Sequence, residues 1–289
     1  VTETGTPRAL STAEAVHLAR EALDGGEPMA SLAVIESSGE GAPPPGTRMA
    51  VWADRHLGTL GDAELDARAA AFAREALAPG ARVGTREIAS GGVTAIVYAE
   101  PHHAPPRLVI VGAGHIARPL CTMGALLGFR VTVLDDRPEF ATRERFPEAE
   151  VVRRADFSDP FAGVAIGART HLVLVTRGHK YDYEALRDVL RRPQVPAYIG
   201  MVGSRRRTRA ALEQLAREGL DPARIAAVRA PVGLDVHAET PEEIAVAIAA
   251  EMVLLRRGGT GRPLRETERV WERWVAPRDE PRNPDAGDP

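Results

Sequence analysis

At 289 residues with 44% hydrophobic side chains, the chain is long enough to bury either one large α/β core or two smaller ones. Its 37 lysines and arginines against 40 acidic residues leave a net charge of −3, and beyond a short arginine cluster at Arg205–Arg209 no basic block points to nucleic acid. No run of about 18 apolar residues and no charged-then-apolar leader is present, so neither a membrane span nor a signal peptide is indicated and a cytoplasmic location is expected. Cys121 is the single cysteine, which excludes an internal disulfide; no Cys or His grouping has zinc-site spacing, and no metal is expected.

Taken in chain order, "TAEAVHLAREALDGG" repeats apolar residues at helical spacing (Ala15, Leu18, Ala19, Ala22, Leu23) and stops at Gly25 and Gly26. Two short apolar runs follow, "MASLAVIES" and "RMAVWAD", separated by the loop "SGEGAPPPG". A helical stretch ending in "AELDARAAAFAREALA" and the strand "GGVTAIVYAE" complete a small N-terminal α/β unit over residues 1–100. "PHHAPP" has few backbone donors and favours an extended chain, so residues 101–106 read as a linker.

From residue 107 the rhythm changes. "RLVIVGAG", "FRVTVLDD", "HLVLVTRG" and "PAYIGMVGS" are continuous apolar runs of the kind buried on both faces of a parallel sheet, and helical segments such as "DYEALRDVLR" and "SRRRTRAALEQLAREG" alternate with them. The pattern predicts a doubly wound Rossmann domain over residues 107–258. Its last helix carries a full set of start and stop signals: Thr240 at the N-cap, Pro241 in the first turn, Glu243 as capping-box partner and Gly258-Gly259 at the end. Residues 259–289 form a tail, expected to be disordered after Ala276; before that, Val270, Trp271 and Trp274 suggest docking on the chain's own domain or across a two-fold homodimer.

In "VIVGAGHIARPL" the order strand, GxGxxA, helix places Gly112 in the tight turn and Gly114 where a phosphate needs close backbone approach. His115 follows, and Ala117 sits where helix meets strand. Asp135 closes the second strand about 20 residues on, where a carboxylate is expected to accept from ribose hydroxyls; Arg137 beside it suits a phosphate instead. Open α/β sheets bind ligands beyond the carboxyl ends of their strands, so Thr176, Arg177, His179, Lys180 and Asp182, then Gly203, Ser204 and Arg205, then Asp235, His237 and Glu239 are further candidates. Cys121 lies on the apolar face of the first Rossmann helix, where packing is the expected role.

In order and spacing, "VIVGAGHIARPL", "VLDDRPEFATRERFPEAE", "VLVTRGHKYDYEALRDVL", "YIGMVGSRRR" and "APVGLDVHAETPEEIAVAIAAEMV" resemble the Rossmann domain of the XdhC/CoxI family. The resemblance implies an accessory protein that binds the molybdenum cofactor (molybdopterin) and helps deliver it to a molybdenum hydroxylase such as xanthine dehydrogenase. It makes Gly112, Gly114, Asp135, Arg177, His179, Gly203, Ser204 and Asp235 candidate ligand-edge residues. The family's N-terminal glycine turn reads "GTLGDAELD" here: Gly61 is kept, Asp62 stands in place of the next glycine and the family's cysteine is absent. An aspartate there is expected to repel an anion. The alternative left open by the residues is an NAD(P)-dependent oxidoreductase acting on a small-molecule substrate. His179 or Lys180 would then be the proton donor or acceptor, and NAD would be preferred through Asp135.

Overall fold

The protein was analysed as a computed structural model that describes residues 8–78, 81 and 83–268, the side chains of His179 and Glu268 excepted. The N-terminal unit comprises α1 (Thr12–Leu23), β1 (Met29–Ser38), β2 (Arg48–Val51), β3 (His56–Leu57), α2 (Ala63–Ala76), β4 (Gly84–Ser90) and β5 (Val93–His102). Its five strands form one antiparallel sheet in the order β3-β2-β1-β5-β4. Alternation along β1 sends Ala30, Leu32 and Val34 toward α2, while Met29 packs with α1, so the two helices cover opposite faces.

The strand expected over "GGVTAIVYAE" runs on to His102, with Pro101 opposite Ala30 and His102 opposite Met29. Among the described residues the β4–β5 ladder ends at Gly84 opposite Ala99, before Pro101. The linker therefore shortens to residues 103–106. It is tied to the second unit by Arg169, whose Nε donates to the Ala104 carbonyl (3.1 Å) and whose Nη2 meets Nδ1 of His103 (3.0 Å).

The second unit runs β6 (Arg107–Val111), α3 (Ala117–Leu126), β7 (Arg130–Asp135), β8 (Val151–Arg154), β9 (Thr170–Leu174), α4 (His179–Arg191), β10 (Tyr198–Met201), α5 (Arg205–Arg217), α6 (Pro222–Ala226), α7 (Pro241–Arg257) and α8 (Leu264–Glu268). The strands are parallel, in the order β10-β9-β6-β7-β8, so the direction of winding reverses between β6 and β9. Leu108, Ile110, Val131, Val133 and Val173 pack against α3 and α7; Val109, Val111, Leu134, Leu172 and Leu174 pack against α4 and α5. Helices on both faces make this the doubly wound sheet that the apolar runs predicted. Residues 136–150, between β7 and β8, form turns rather than a crossover helix, with Phe146 and Ala149 buried in the α3 face.

The α7 caps are as the sequence predicts: the Thr240 hydroxyl accepts from the Glu243 amide, the Glu243 carboxylate reciprocates, and Gly258 ends the helix at φ 69°. Among the described residues no helix is long and apolar enough to cross a membrane. Val270, Trp271, Trp274 and the stretch after Ala276 lie outside the described residues. Removing the N-cap hydroxyl with Thr240→Ala should destabilise the protein by about 1 kcal/mol. Urea unfolding of wild type and variant measures it, and an unchanged midpoint would mean that α7 is held by packing alone.

Candidate functional site

The first βα turn is built by one close approach. Gly112 has φ +105°, and a Cβ on it would lie 2.6 Å from the Val175 carbonyl oxygen, so only glycine lets the turn pass the end of β9. The Gly112 amide donates to Leu134 O (2.7 Å) and the Ala113 amide to Oδ2 of Asp135 (2.6 Å), which fastens the turn to β7. At Gly114 a Cβ would meet nothing within 4 Å. Helix α3 then begins without a side-chain cap and without an acidic residue in its first turn. The amides of Gly114, His115 and Ile116 have no protein acceptor among the described residues. An open helix start with free amides and room above a glycine is an anion cradle. His115 is exposed beside it, and Ala117 is buried under it.

Asp135 is taken up by donors of the protein itself. Its Oδ1 accepts from the Arg137 amide and Nε (both 2.9 Å), its Oδ2 from Ala113 N (2.6 Å) and Arg137 Nη2 (2.9 Å), and it is 3% exposed. Burial alone would raise its pKa. The bonds from Arg137 and from the Ala113 and Arg137 amides together outweigh burial and hold it well below the usual carboxylate range, at about 2. The expectation that Asp135 accepts from a ribose therefore gives way to a structural one, and the NAD preference drawn from it loses its basis. Arg137, expected near a phosphate, is spent on Asp135 and lies 3.6 Å from the centre of the Phe140 ring. Arg145 also stands against that ring, 4.7 Å from its centre; its Nη2 donates to the Ala113 carbonyl (3.3 Å), and its buried Nε has no partner. Arg145 is thus the cation beside the cradle, and no motif in the sequence pointed to it.

At the end of β9 the Thr176 hydroxyl donates to Oδ1 of the fully buried Asp182 (2.5 Å), and Arg207 from α5 pairs with the same carboxylate and donates to Thr176 O (3.2 Å). Arg177 bridges to Asp136 (2.8 Å) and to the Tyr181 hydroxyl (2.7 Å). Ser204 caps α5 by accepting from the Arg207 amide, and Gly203 precedes it, while Arg205 is exposed: Arg207, two residues on, is the arginine that turns into the edge. Asp235 and His237 are 92% and 95% exposed and 3.6 Å apart. Glu239 contributes its amide to the Glu243 carboxylate (2.8 Å). Lys180 is exposed, 3.9 Å from Glu184. The His179 side chain lies outside the described residues. Cys121 is buried, and burial first of all pushes its thiol up to about 12, which suits packing and not reactivity.

The N-terminal turn "GTLGDAELD" is closed by its own carboxylates. Asp62 is the N-cap of α2, accepting from Leu65 N (2.8 Å) and the Ser90 hydroxyl (3.1 Å). Asp66 accepts from Leu60 N (2.6 Å) and the Thr59 hydroxyl (2.7 Å). With Glu64 also in the first turn, this helix start is already filled with negative charge.

A doubly wound domain with its glycine turn beside the reversal of strand order, preceded by an antiparallel α/β unit, defines a two-unit α/β protein with an open helix start at the carboxyl edge of its Rossmann sheet. The chain matches the XdhC Rossmann domain over residues 108–252 and the XdhC and CoxI family over residues 13–88, and it belongs to that family. It is 31% identical over 246 residues to the uncharacterized protein YqeB of Escherichia coli, covering 81% of this chain and 44% of that one. To a probable xanthine dehydrogenase subunit of Bacillus subtilis it is 33% identical over 152 residues, covering 53% and 43%. The chain thus spans less than half the length of these curated relatives. A solved structure, a xanthine dehydrogenase from Bacillus halodurans, shares the fold at 19% identity and a TM-score of 0.50, over 86% of this chain and 97% of that one.

Asp135→Asn should destabilise the protein by about 3 kcal/mol at neutral pH, since it leaves Arg137 without its counter-charge. Because the folded pKa of Asp135 lies near 2, below its ordinary 3.8, its ionised form contributes stability fully above about pH 4 and loses it as pH falls toward 2. The gap between wild type and variant in urea unfolding should therefore narrow by about 2 kcal/mol between pH 6 and pH 2. A gap constant over that range would contradict the ion pair.

Proposed function

We propose that this protein is an accessory protein that holds the phosphate of a molybdenum cofactor on the Gly112–Ile116 turn and presents it to a molybdenum hydroxylase such as xanthine dehydrogenase. The observation that carries the reading is the open cradle: free amides at the start of α3, empty space above Gly114, and Arg145 alongside with an unpartnered Nε. The residues fit a phosphate and so fit the pterin phosphate that the cofactor carries. The amides of Gly114, His115 and Ile116 would hold it and Arg145 would offset its charge. The molybdenum centre is cargo in this reading, and its chemistry belongs to the receiving enzyme. Membership of the XdhC/CoxI family and the name of the Bacillus subtilis relative support the choice of partner.

The same cradle suits a dinucleotide, which keeps an oxidoreductase as the second reading. That reading needs a proton-transfer group, and the one described candidate, Lys180, is 79% exposed and only loosely paired.

Calorimetry with molybdopterin, NAD and NADP on wild type and Gly114→Val separates the readings. The backbone at Gly114 is outside the left-handed region, so valine adds bulk without strain. Molybdopterin should bind wild type and lose at least tenfold on Gly114→Val, and a molybdenum hydroxylase should co-purify with the loaded protein. Binding of NAD or NADP in place of molybdopterin would transfer the cradle to the oxidoreductase, and indifference of all ligands to the substitution would remove it.

A further inference from the structure

Helices α3 and α7 lie side by side on one face of the Rossmann sheet, and a groove of about 570 Å³ runs between them on the outside. Its lining includes Met123 and Leu126 of α3 and Val246, Ala250 and Val253 of α7, and Arg257 is the one charged group in it. Leu126 is 82% exposed and Val246 51%. Single exposed apolar side chains are ordinary, but a contiguous set along a helix pair marks a contact surface.

The order of residues along α7 says what covers it. Glu242, Val246, Ala250, Val253 and Arg257 follow one another at intervals of four or three, so they share one face of the helix. An acid opens the row, apolar residues fill it, and a base ends it. Ala249 stands beside Ala250 at the middle. Glu242 and Arg257 are equally far from the point between the two alanines, and so are Val246 and Val253. The row is therefore its own complement when turned end for end. In an antiparallel pair about a two-fold axis at the alanines, Val246 of one copy meets Val253 of the other, and Glu242 meets Arg257. Alanines at the crossing let the two helices approach closely.

Both end charges are available for such a contact. Glu242 and Arg257 are exposed, and neither is in an ion pair with another described residue. Their neighbours are turned to other work: the Glu243 carboxylate accepts from the Glu239 and Thr240 amides, and Arg256 stacks 4.9 Å from the centre of the Phe129 ring.

We propose that the outer face of α7, with the groove beside it, is the interface of a two-fold homodimer whose second copy lies antiparallel about Ala249 and Ala250. The interface is independent of what the cradle binds. It also differs from a dimer docked through Val270, Trp271 and Trp274, because every pairing residue precedes Gly258.

Gel filtration with light scattering, carried through a dilution series, tests it by charge reversal. Wild type should have twice the 31.0 kDa of one chain. Glu242→Arg and Arg257→Glu each place like charges at both symmetric contacts, so either variant alone should dimerise about tenfold more weakly or worse. Mixed in equal amounts, the two variants should pair with each other to within about threefold of wild-type affinity, since every arginine then faces a glutamate. Mixing cannot mend a folding defect, so recovery reads the contact itself. Ala250→Cys gives a second readout: Cys121 is buried, and mild oxidation should link the two copies through the introduced thiols. A monomeric wild type, single variants that dimerise as wild type does, a mixture no tighter than its components, or an Ala250→Cys dimer that stays unlinked overturns the proposal.

Discussion

The carbonyl and the amide of Ala113 are both consumed by side chains, and the geometry of the site depends on this. Asp135 takes the amide (2.6 Å), Arg145 the carbonyl (3.3 Å), and the two are joined through Arg137 and the ring of Phe140. The ring of contacts closes on one peptide unit. With Ala113 held from both sides, the next three amides are left without a protein acceptor among the described residues, which is the arrangement of an open helix start. The carboxylate that does this is buried at the end of a strand, so its charge is satisfied by four donors before a ligand can compete for it.

A second knot does the corresponding work on the other side of the reversal in strand order. Asp182, buried at the start of α4, gathers the Thr176 hydroxyl and Arg207 of α5, and so fixes both helices at the end of β9. Between this knot and the Asp135 ring runs the bridge from Arg177 to Asp136. Cations and carboxylates at this edge are thus largely paired with one another. Exposed Arg205 at the start of α5 and Lys180, only loosely paired with Glu184, are charged groups at this edge outside those knots.

What the sequence made legible follows burial. The runs at β6, β7, β9 and β10 are largely buried and read as strands at once, whereas β4 buries only Ile88 in its length and β8 buries nothing, so these two strands left no apolar pattern to find. The α7 boundaries were readable because capping is a local code. The inward pairing of Asp135 was not legible for a physical reason: position at a strand end is visible in sequence, but which of two adjacent aspartates turns inward is decided by tertiary contacts. Arg145 and Arg207 were invisible on the same ground, since each acts on a backbone group 31 or 32 residues away.

The two glycine turns of the molecule carry opposite electrostatics, and this divides the labour between the units. At α2 the helix start is capped by Asp62 and crowded by Glu64 and Asp66, so its partial positive charge is neutralised inside the protein. At α3 there is no cap and no acid, and the same partial charge is exposed. By these charges alone an anion is disfavoured at the first helix start and favoured at the second, so the two units differ in the sign of the group that their helix starts suit.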